Sequence, residues 1–316
     1  MYDLYTVDDC MESMLHSLRN GKVKGSTTYI QDFDNSWKWR MGEVNIWTGY
    51  NNEGKSQFLI FLALLKVLKE GRKFIFYSPE NYPPDEFFDD MIHTISGRTT
   101  DKDFPGCIDE ETYVDLAELL TNNIHFLYLK PENSTLKNIL SAMKEMHDIH
   151  GYFAGIIDPW LKVRREDNGL REDIYASEVG ATLTDFARTN DMSMHLVMHQ
   201  TTPVPDDSGN YPKPDLYRIK GGGAYADGVD NVLYAHREFR RTDPKNTDVT
   251  LGADKIKKQK LVGVPGNPCT LKFNRRTNRY TDIHDNDFID FGEFIRSSSQ
   301  VISSRSPLID WSRQDI

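Results

Sequence analysis

The sequence predicts an α/β fold in which a mostly parallel central sheet carries helices on both faces. Three observations support it. Between about residues 41 and 280, β-prone runs alternate with helical ones; most links between them are short; and the first run leads through a glycine-bounded turn into an apolar helix. Parallel strands need a crossover, and helices supply it. The chain's 316 residues, 38% hydrophobic and 27% charged, suffice for a sizeable core.

Residues 1–40 are expected to precede that core. Thr6 to Asp9 can cap a helix that runs to about Leu18 and stops at Asn20 and Gly21, with Met11, Met14, Leu15 and Leu18 on one face. The stripe needs a partner, its own domain or a neighbouring subunit, and the sequence favours neither. After the β-prone run 44–47 comes Gly49-Tyr50-Asn51-Asn52-Glu53-Gly54-Lys55-Ser56, which fits the phosphate-loop pattern G-x-x-x-x-G-K-[ST] at every fixed position. Gly49 and Gly54 let the backbone N–H groups turn inward around phosphate oxygens. Asn51, Asn52, Glu53, Gly54 and Gln57 then belong to the nucleotide site, Lys55 reaches the β- and γ-phosphates, and Ser56 ligates Mg²⁺. The apolar stretch 58–68, stopped by Gly71, reads as the buried helix whose positive end faces those phosphates. ATP and Mg²⁺ are the expected cofactors.

Further strands are expected at 74–77, 124–129, 152–157, 195–198 and 229–235, with helices at 85–96, 110–120, 135–149 and 174–190. Met143 and Met146 sit at helical spacing and read as core filler. Ligands of open parallel sheets lie at the carboxyl ends of the strands, so the residue after each strand matters most. Glu80 follows the 74–77 strand, where a carboxylate can orient or deprotonate an attacking water; the alternative is a loop charge. Asp158 ends the 152–157 strand in a Walker B arrangement, accepting a bond from Ser56 or from a Mg²⁺-bound water. His199 and Gln200 follow 195–198 and can sense a γ-phosphate. His93, His147 and His195 lack such company and read as packed or surface residues.

Two loops are long enough to suggest function, 163–173 and 201–223. The second carries Lys213, Arg218, Lys220 and the run Gly221-Gly222-Gly223. Past it, 249–256 and 269–273 read as a strand pair linked by a segment with Lys255, Lys257, Lys258 and Lys260, either a solvated basic face or a cation for the next subunit's nucleotide. A net charge of −10 argues against a broad basic coat for nucleic acid, yet it is compatible with a narrow basic channel. The longest apolar run, 58–65, is too short for a bilayer and the start lacks a signal-peptide order, so a cytoplasmic protein without membrane attachment is expected. Cys10, Cys107 and Cys269 are scattered, which favours neither disulfides nor zinc.

Taken in order, the Gly49 to Ser56 loop, Phe-Tyr-Ser-Pro-Glu-Asn at 76–81, Gly-Ile-Ile-Asp-Pro-Trp at 155–160, Val-Met-His-Gln-Thr-Thr-Pro at 197–203 and Ile-Lys-Gly-Gly-Gly-Ala-Tyr-Ala-Asp-Gly-Val-Asp-Asn-Val-Leu at 219–233 form a family pattern. It resembles the RecA-like motor domain of DnaB-type ring helicases, nearest their Twinkle-like and phage primase-helicase branch, over about residues 24–282. The resemblance implies a hexameric ring ATPase that moves along single-stranded DNA in its central channel and separates duplexes, in a bacterial or phage-infected cell. It implies phosphate and Mg²⁺ roles for Lys55 and Ser56, the catalytic glutamate at Glu80, the Walker B aspartate at Asp158 and the γ-phosphate sensor at His199. It also implies a channel loop over 213–223, in which Lys213, Arg218, Lys220, Gly221 and Gly222 meet DNA, and an N-terminal helix that docks on the adjacent subunit.

Two departures qualify it. Where the family carries a Lys-x-Arg pair that reaches the neighbour's ATP, this chain has Lys258-Gln259-Lys260; Lys260 lacks the planar fork of a guanidinium, and Arg237, Arg240 and Arg241 are candidate substitutes. Nor do 40 residues before the core hold a primase or helical collar, so either any primase is a separate protein or the chain is a motor-only version. The resulting division is 1–40 linker helix and lead-in, 41–283 motor domain, and 284–316 an acidic, mobile tail for a primase, loader or polymerase, with plain disorder as the alternative. The rival functions are a RecA- or RadA-like DNA-binding ATPase or recombination mediator without processive unwinding, and a nucleotide-dependent scaffold.

Overall fold

The computed structural model of the chain describes residues 4–166 and 169–292. Its elements begin with helices α1 (Val7–Asn20) and α2 (Gln31–Asp34), strand β1 (Val44–Gly49), helix α3 (Lys55–Glu70) and strand β2 (Phe74–Tyr77). Helices α4 (Pro84–Ser96) and α5 (Glu110–Asn123), strand β3 (Ile124–Leu127), helix α6 (Leu136–His150) and strand β4 (Ala154–Ile157) follow. Then come α7 (Glu172–Thr189), β5 (Ser193–His199), α8 (Ala224–Asp227), β6 (Asn231–His236), β7 (Asp248–Ile256), α9 (Gln259–Val262), β8 (Cys269–Asn274) and β9 (Arg279–Thr281).

One nine-stranded sheet runs β3-β2-β4-β5-β1-β6-β7-β8-β9 among the described residues. The first six strands in that order are mutually parallel, and β7, β8 and β9 extend the sheet antiparallel. Strand alternation splits the core into two layers. Phe74 and Phe76 of β2 and Trp47 of β1 join α3, α4 and α5 on one face, while Ile75, Tyr77, Val44 and Ile46 join α6, α7 and α8 on the other. Because both faces are covered, the strands read as continuous apolar runs.

The expected elements are present, with bounds moved for identifiable reasons. Strand β3 stops at Leu127 rather than 129 because Leu127 pairs with Tyr77, the last residue of β2, and beyond it the edge strand has no partner. Strand β4 begins at Ala154, the first residue with neighbours on both sides, and β6 covers Asn231–His236. Helix α5 continues to Asn123 and passes straight into β3.

The division at residue 41 does not hold. Ile30, Phe33, Trp37 and Trp39 are buried, and Phe33, Trp37 and Trp39 pack with Trp47 and His195 in one aromatic cluster. Trp47 Nε1 donates to His195 Nδ1 over 2.9 Å. Burial pulls the imidazole down to about 3, so it stays neutral and accepts that bond. Residues from about 25 therefore belong to the core. Helix α1 differs: it has no buried residue, and Met11, Met14, Leu15 and Leu18 stay exposed, so among the described residues its apolar stripe has no cover.

The division at 283 also shifts. Ile289 is buried, and Arg279 holds Asp287 by an ion pair and donates to the Ile289 carbonyl at 3.3 Å. The expected mobile tail thus has Phe288, Ile289 and Phe291 packed on the body; 293–316 lie outside the described residues, as do 167 and 168 of the 163–173 loop. No helix of the described residues is long and apolar enough to cross a membrane.

Candidate functional site

The phosphate loop leaves β1 at its carboxyl end and enters α3 at Lys55. Gly49 borders β6 so closely that a Cβ there would stand 2.5 Å from the Ala235 carbonyl oxygen. Gly54 is left-handed (φ +88) and a Cβ would lie 2.6 Å from Tyr280 Oη. The first N–H groups of a long helix therefore face the loop's hollow. Lys55 is 5% exposed and donates from Nζ to the Tyr50 carbonyl at 2.7 Å. Burial draws its ammonium down to about 8 although Glu53 and Asp158 support the charge. The nearby oxygens keep the cation aimed along the loop.

Glu53 departs from the expected nucleotide contact. Its carboxylate is wholly buried, accepts from the Tyr50 N–H at 3.2 Å, and turns its other oxygen toward His236 Nδ1 at 3.6 Å. Only the backbone of Glu53 is available to a phosphate. Gln57 donates to the Asn278 carbonyl at 3.5 Å, at the rim of the loop.

Three other strand ends meet the loop. Asp158 is 6% exposed, and burial raises its carboxyl to about 6 against the hydrogen bond from Ser56 and the charge of Lys55. Ser56 and Asp158 thus set a hydroxyl and a carboxylate side by side, the pairing a Mg²⁺ site of this type needs. Glu80 is exposed in the cleft, 3.7 Å from Lys162 Nζ. His199 pairs in register with Gly49. Its Nδ1 is buried without a hydrogen-bond partner, and burial, Lys55 and Lys220 lower its pKa. Asn51, Asn52, Glu80, His199 and Lys220 line a cleft of about 580 Å³.

The structure separates the remaining expected residues. Gln200 donates both to Thr48 Oγ1 and to the Asp215 carbonyl, each at 2.9 Å, so it ties the 201–223 loop to β1 rather than projecting a free amide. Arg218, Lys220, Gly221 and Gly222 lie at the loop's exposed end, and the Lys220 N–H returns to the His199 carbonyl at 2.7 Å. Lys213 does not join them: it forms an ion pair with Asp254 and sits 4.4 Å over the Tyr234 ring. Lys258 and Lys260 lie at the other end of the sheet, because β7 runs antiparallel to β6 and finishes beside Asn231. There Lys258 meets Glu43 at 3.3 Å, remote from its own phosphate loop.

Sequence reasoning missed one feature and left another open. Tyr280 of β9 lies over Gly54 and, with Asn52, Arg237, Val249, Phe273 and Arg275, lines a second cleft of about 340 Å³ able to take a flat ring. Arg240 donates from Nη1 to the Asn51 carbonyl of the phosphate loop. The sequence named it as one of three candidates, with Arg237 and Arg241, for the missing guanidinium and did not choose among them.

No family model matches the chain. Over 268 residues it is 24% identical to a Twinkle homolog protein, chloroplastic/mitochondrial, of Arabidopsis thaliana, covering 83% of this chain and 37% of that protein. Over 234 residues it is 21% identical to a probable plasmid replicative DNA helicase of Chlamydia psittaci, covering 72% and 49%. The chain thus spans less than half the length of either relative. Among solved structures it is similar to an ATPase domain, with a TM-score of 0.74 at 14% identity over 89% of this chain and all of that one. It is also similar to a DnaB-like replicative helicase described with its interactions with primase, with a TM-score of 0.70 at 14% identity over 89% of this chain and 68% of that one. The fold is RecA-like, and the likenesses together support a DnaB-like helicase motor domain.

Proposed function

We propose that this DnaB-like motor domain hydrolyses ATP with Mg²⁺ and uses the cycle to move a ring of its copies along single-stranded DNA and part the duplex. One observation carries the proposal: Lys55, Ser56, Glu80, Asp158 and His199 follow four separate strand ends, Glu80 and His199 line the cleft beside the phosphate loop, and the charges of Lys55 and Glu80 act on both Asp158 and His199. The loop with Arg218 and Lys220 hangs from the last of them. A nucleotide's departure can therefore be felt at the loop through a single strand end.

In this reading Ser56 and Asp158 hold Mg²⁺, which supplies positive charge to the β- and γ-phosphate oxygens when bound. Lys55 and the backbone of the phosphate loop bind the triphosphate. Glu80 orients a water for attack on the γ-phosphorus and accepts its proton, while the bond to the bridging oxygen breaks. His199, whose Nδ1 has no other partner, reads the γ-phosphate. Helix α1, exposed along its apolar stripe, docks on the adjacent copy, and Lys258 and Lys260 face a neighbour's nucleotide since they cannot reach their own.

The test is Lys55→Ala. Turnover should fall to background because nothing else in the loop carries its charge. Undiminished turnover in a folded Lys55→Ala protein refutes the assignment of the cleft.

A further inference from the structure

Arginines 237, 240 and 275 gather beside the phosphate loop. Arg240 donates to Asn51, while Arg237 and Arg275 line the neighbouring cleft with Asn52 and Gly54. Among the described residues, none of the three has a carboxylate within ion-pair distance. Several basic groups elsewhere are paired: Lys162 with Glu80, Lys213 with Asp254, Lys257 with Asp230, Lys258 with Glu43 and Arg279 with Asp287. Burial and the charges of Arg275 and Arg240 together lower the pKa of Arg237. Like charges held together cost free energy that a polyanion removes.

We propose that Arg240 binds the triphosphate of its own chain, supplying in cis the guanidinium that Lys258-Gln259-Lys260 lacks. This rests on reading the cleft as a nucleoside triphosphate site. The position selects Arg240 from its neighbours: Arg241 stacks over Tyr211 at 4.8 Å, and Arg237 donates to the Asn246 carbonyl at 2.8 Å. Arg240 is partly exposed and needs only to exchange the Asn51 carbonyl for a phosphate oxygen. A guanidinium offers phosphate two parallel donors, which neither Lys258 nor Lys260 can.

The test compares ATP turnover in Arg240→Ala, Arg240→Lys and, as a control, Arg276→Ala, each checked for folding by its melting temperature. Arg240→Ala should raise KM for ATP by about tenfold, the usual order for removing a hydrogen bond to a charged group. Arg240→Lys should fall between it and the parent, and Arg276→Ala should match the parent. Mixing Arg240→Ala with Lys55→Ala chains then separates cis from trans. If Arg240 serves its own chain, no intact site forms and turnover stays at the level of the unmixed variants. Recovery on mixing, or an unchanged KM in Arg240→Ala, overturns the proposal. Neither result touches the parent reading, which fails only if Lys55→Ala itself retains turnover.

Discussion

Around the phosphate loop stand three carboxylates with different surroundings, and the differences assign their work. Glu53 is sealed inside and turned to His236, Asp158 is buried against Ser56, and Glu80 opens to water in the cleft. In the proposed function Glu80 is the one to meet the attacking water, since of the three it alone is exposed and its contact with Lys162, at 3.7 Å, is exposed as well. Glu80→Gln keeps the shape and removes the base, so nucleotide affinity should stay within a few-fold while kcat falls by about 10²–10⁴. Single-turnover hydrolysis beside equilibrium binding checks this, and collapsed binding with normal hydrolysis per bound nucleotide would make Glu80 structural. Lys55, Glu80, Asp158 and His199 were legible in the sequence because each lies in a contiguous motif or directly after an apolar run. The inward turn of Glu53, the pairing of Lys213 with Asp254 and the reach of Arg240 were not. The first and last depend on the pairing of β6 with β1, which brings Arg240 to Asn51 across 189 positions, and the second on β7, which brings Asp254 to Lys213 across 41.

Helix α3 must hold its amino end steady under the phosphates, and its far end shows how. Glu70 accepts from Tyr29 Oη at 2.9 Å and from Arg72 Nε at 2.8 Å, and pairs with the fully buried Lys66. The lead-in segment is thereby clamped to the last turn of the helix. Burial pushes the Glu70 carboxyl up, but hydrogen bonds from Lys66, Arg72 and Tyr29 outweigh it and bring the group from 4.5 to about 2. A depressed carboxylate stabilises the fold above its unfolded value, and that contribution is lost as pH falls from about 4.5 toward 2. Glu70→Gln should therefore cost on the order of 2 kcal/mol at neutral pH and lose part of the acid-dependent fall. Melting curves of both proteins from pH 7 to 2 measure it, and parallel curves would show that the clamp contributes nothing. At this scale the longer helices were legible from apolar runs and 3.6-residue stripes. The four-residue helices α2, α8 and α9 and strand β9 were not, because so few residues carry no periodicity of their own.

For the whole molecule the question is how a chain of net charge −10 holds a polyanion. Arg218 and Lys220 stand at the exposed end of the 201–223 loop with no ion pair among the described residues, so in the proposed ring they reverse the field locally. Replacing both with Gln should weaken single-stranded DNA binding and lower the salt slope by roughly 0.7 for each phosphate that is no longer neutralised. Turnover without DNA should stay near the parent's while its stimulation by DNA falls. An unchanged slope with reduced basal turnover would assign the loop to the nucleotide site instead. Ring architecture itself is not legible in one chain, since α1 shows an unpartnered face and not its partner. The central claim is tested most directly by strand separation on a forked DNA duplex with ATP, measured for the parent and for Glu80→Gln. The account predicts that the parent parts the strands only when it can hydrolyse ATP and that Glu80→Gln binds the fork without parting it. Robust DNA-stimulated hydrolysis by the parent with no strand separation would contradict it and favour a filament-forming, recombination-type ATPase.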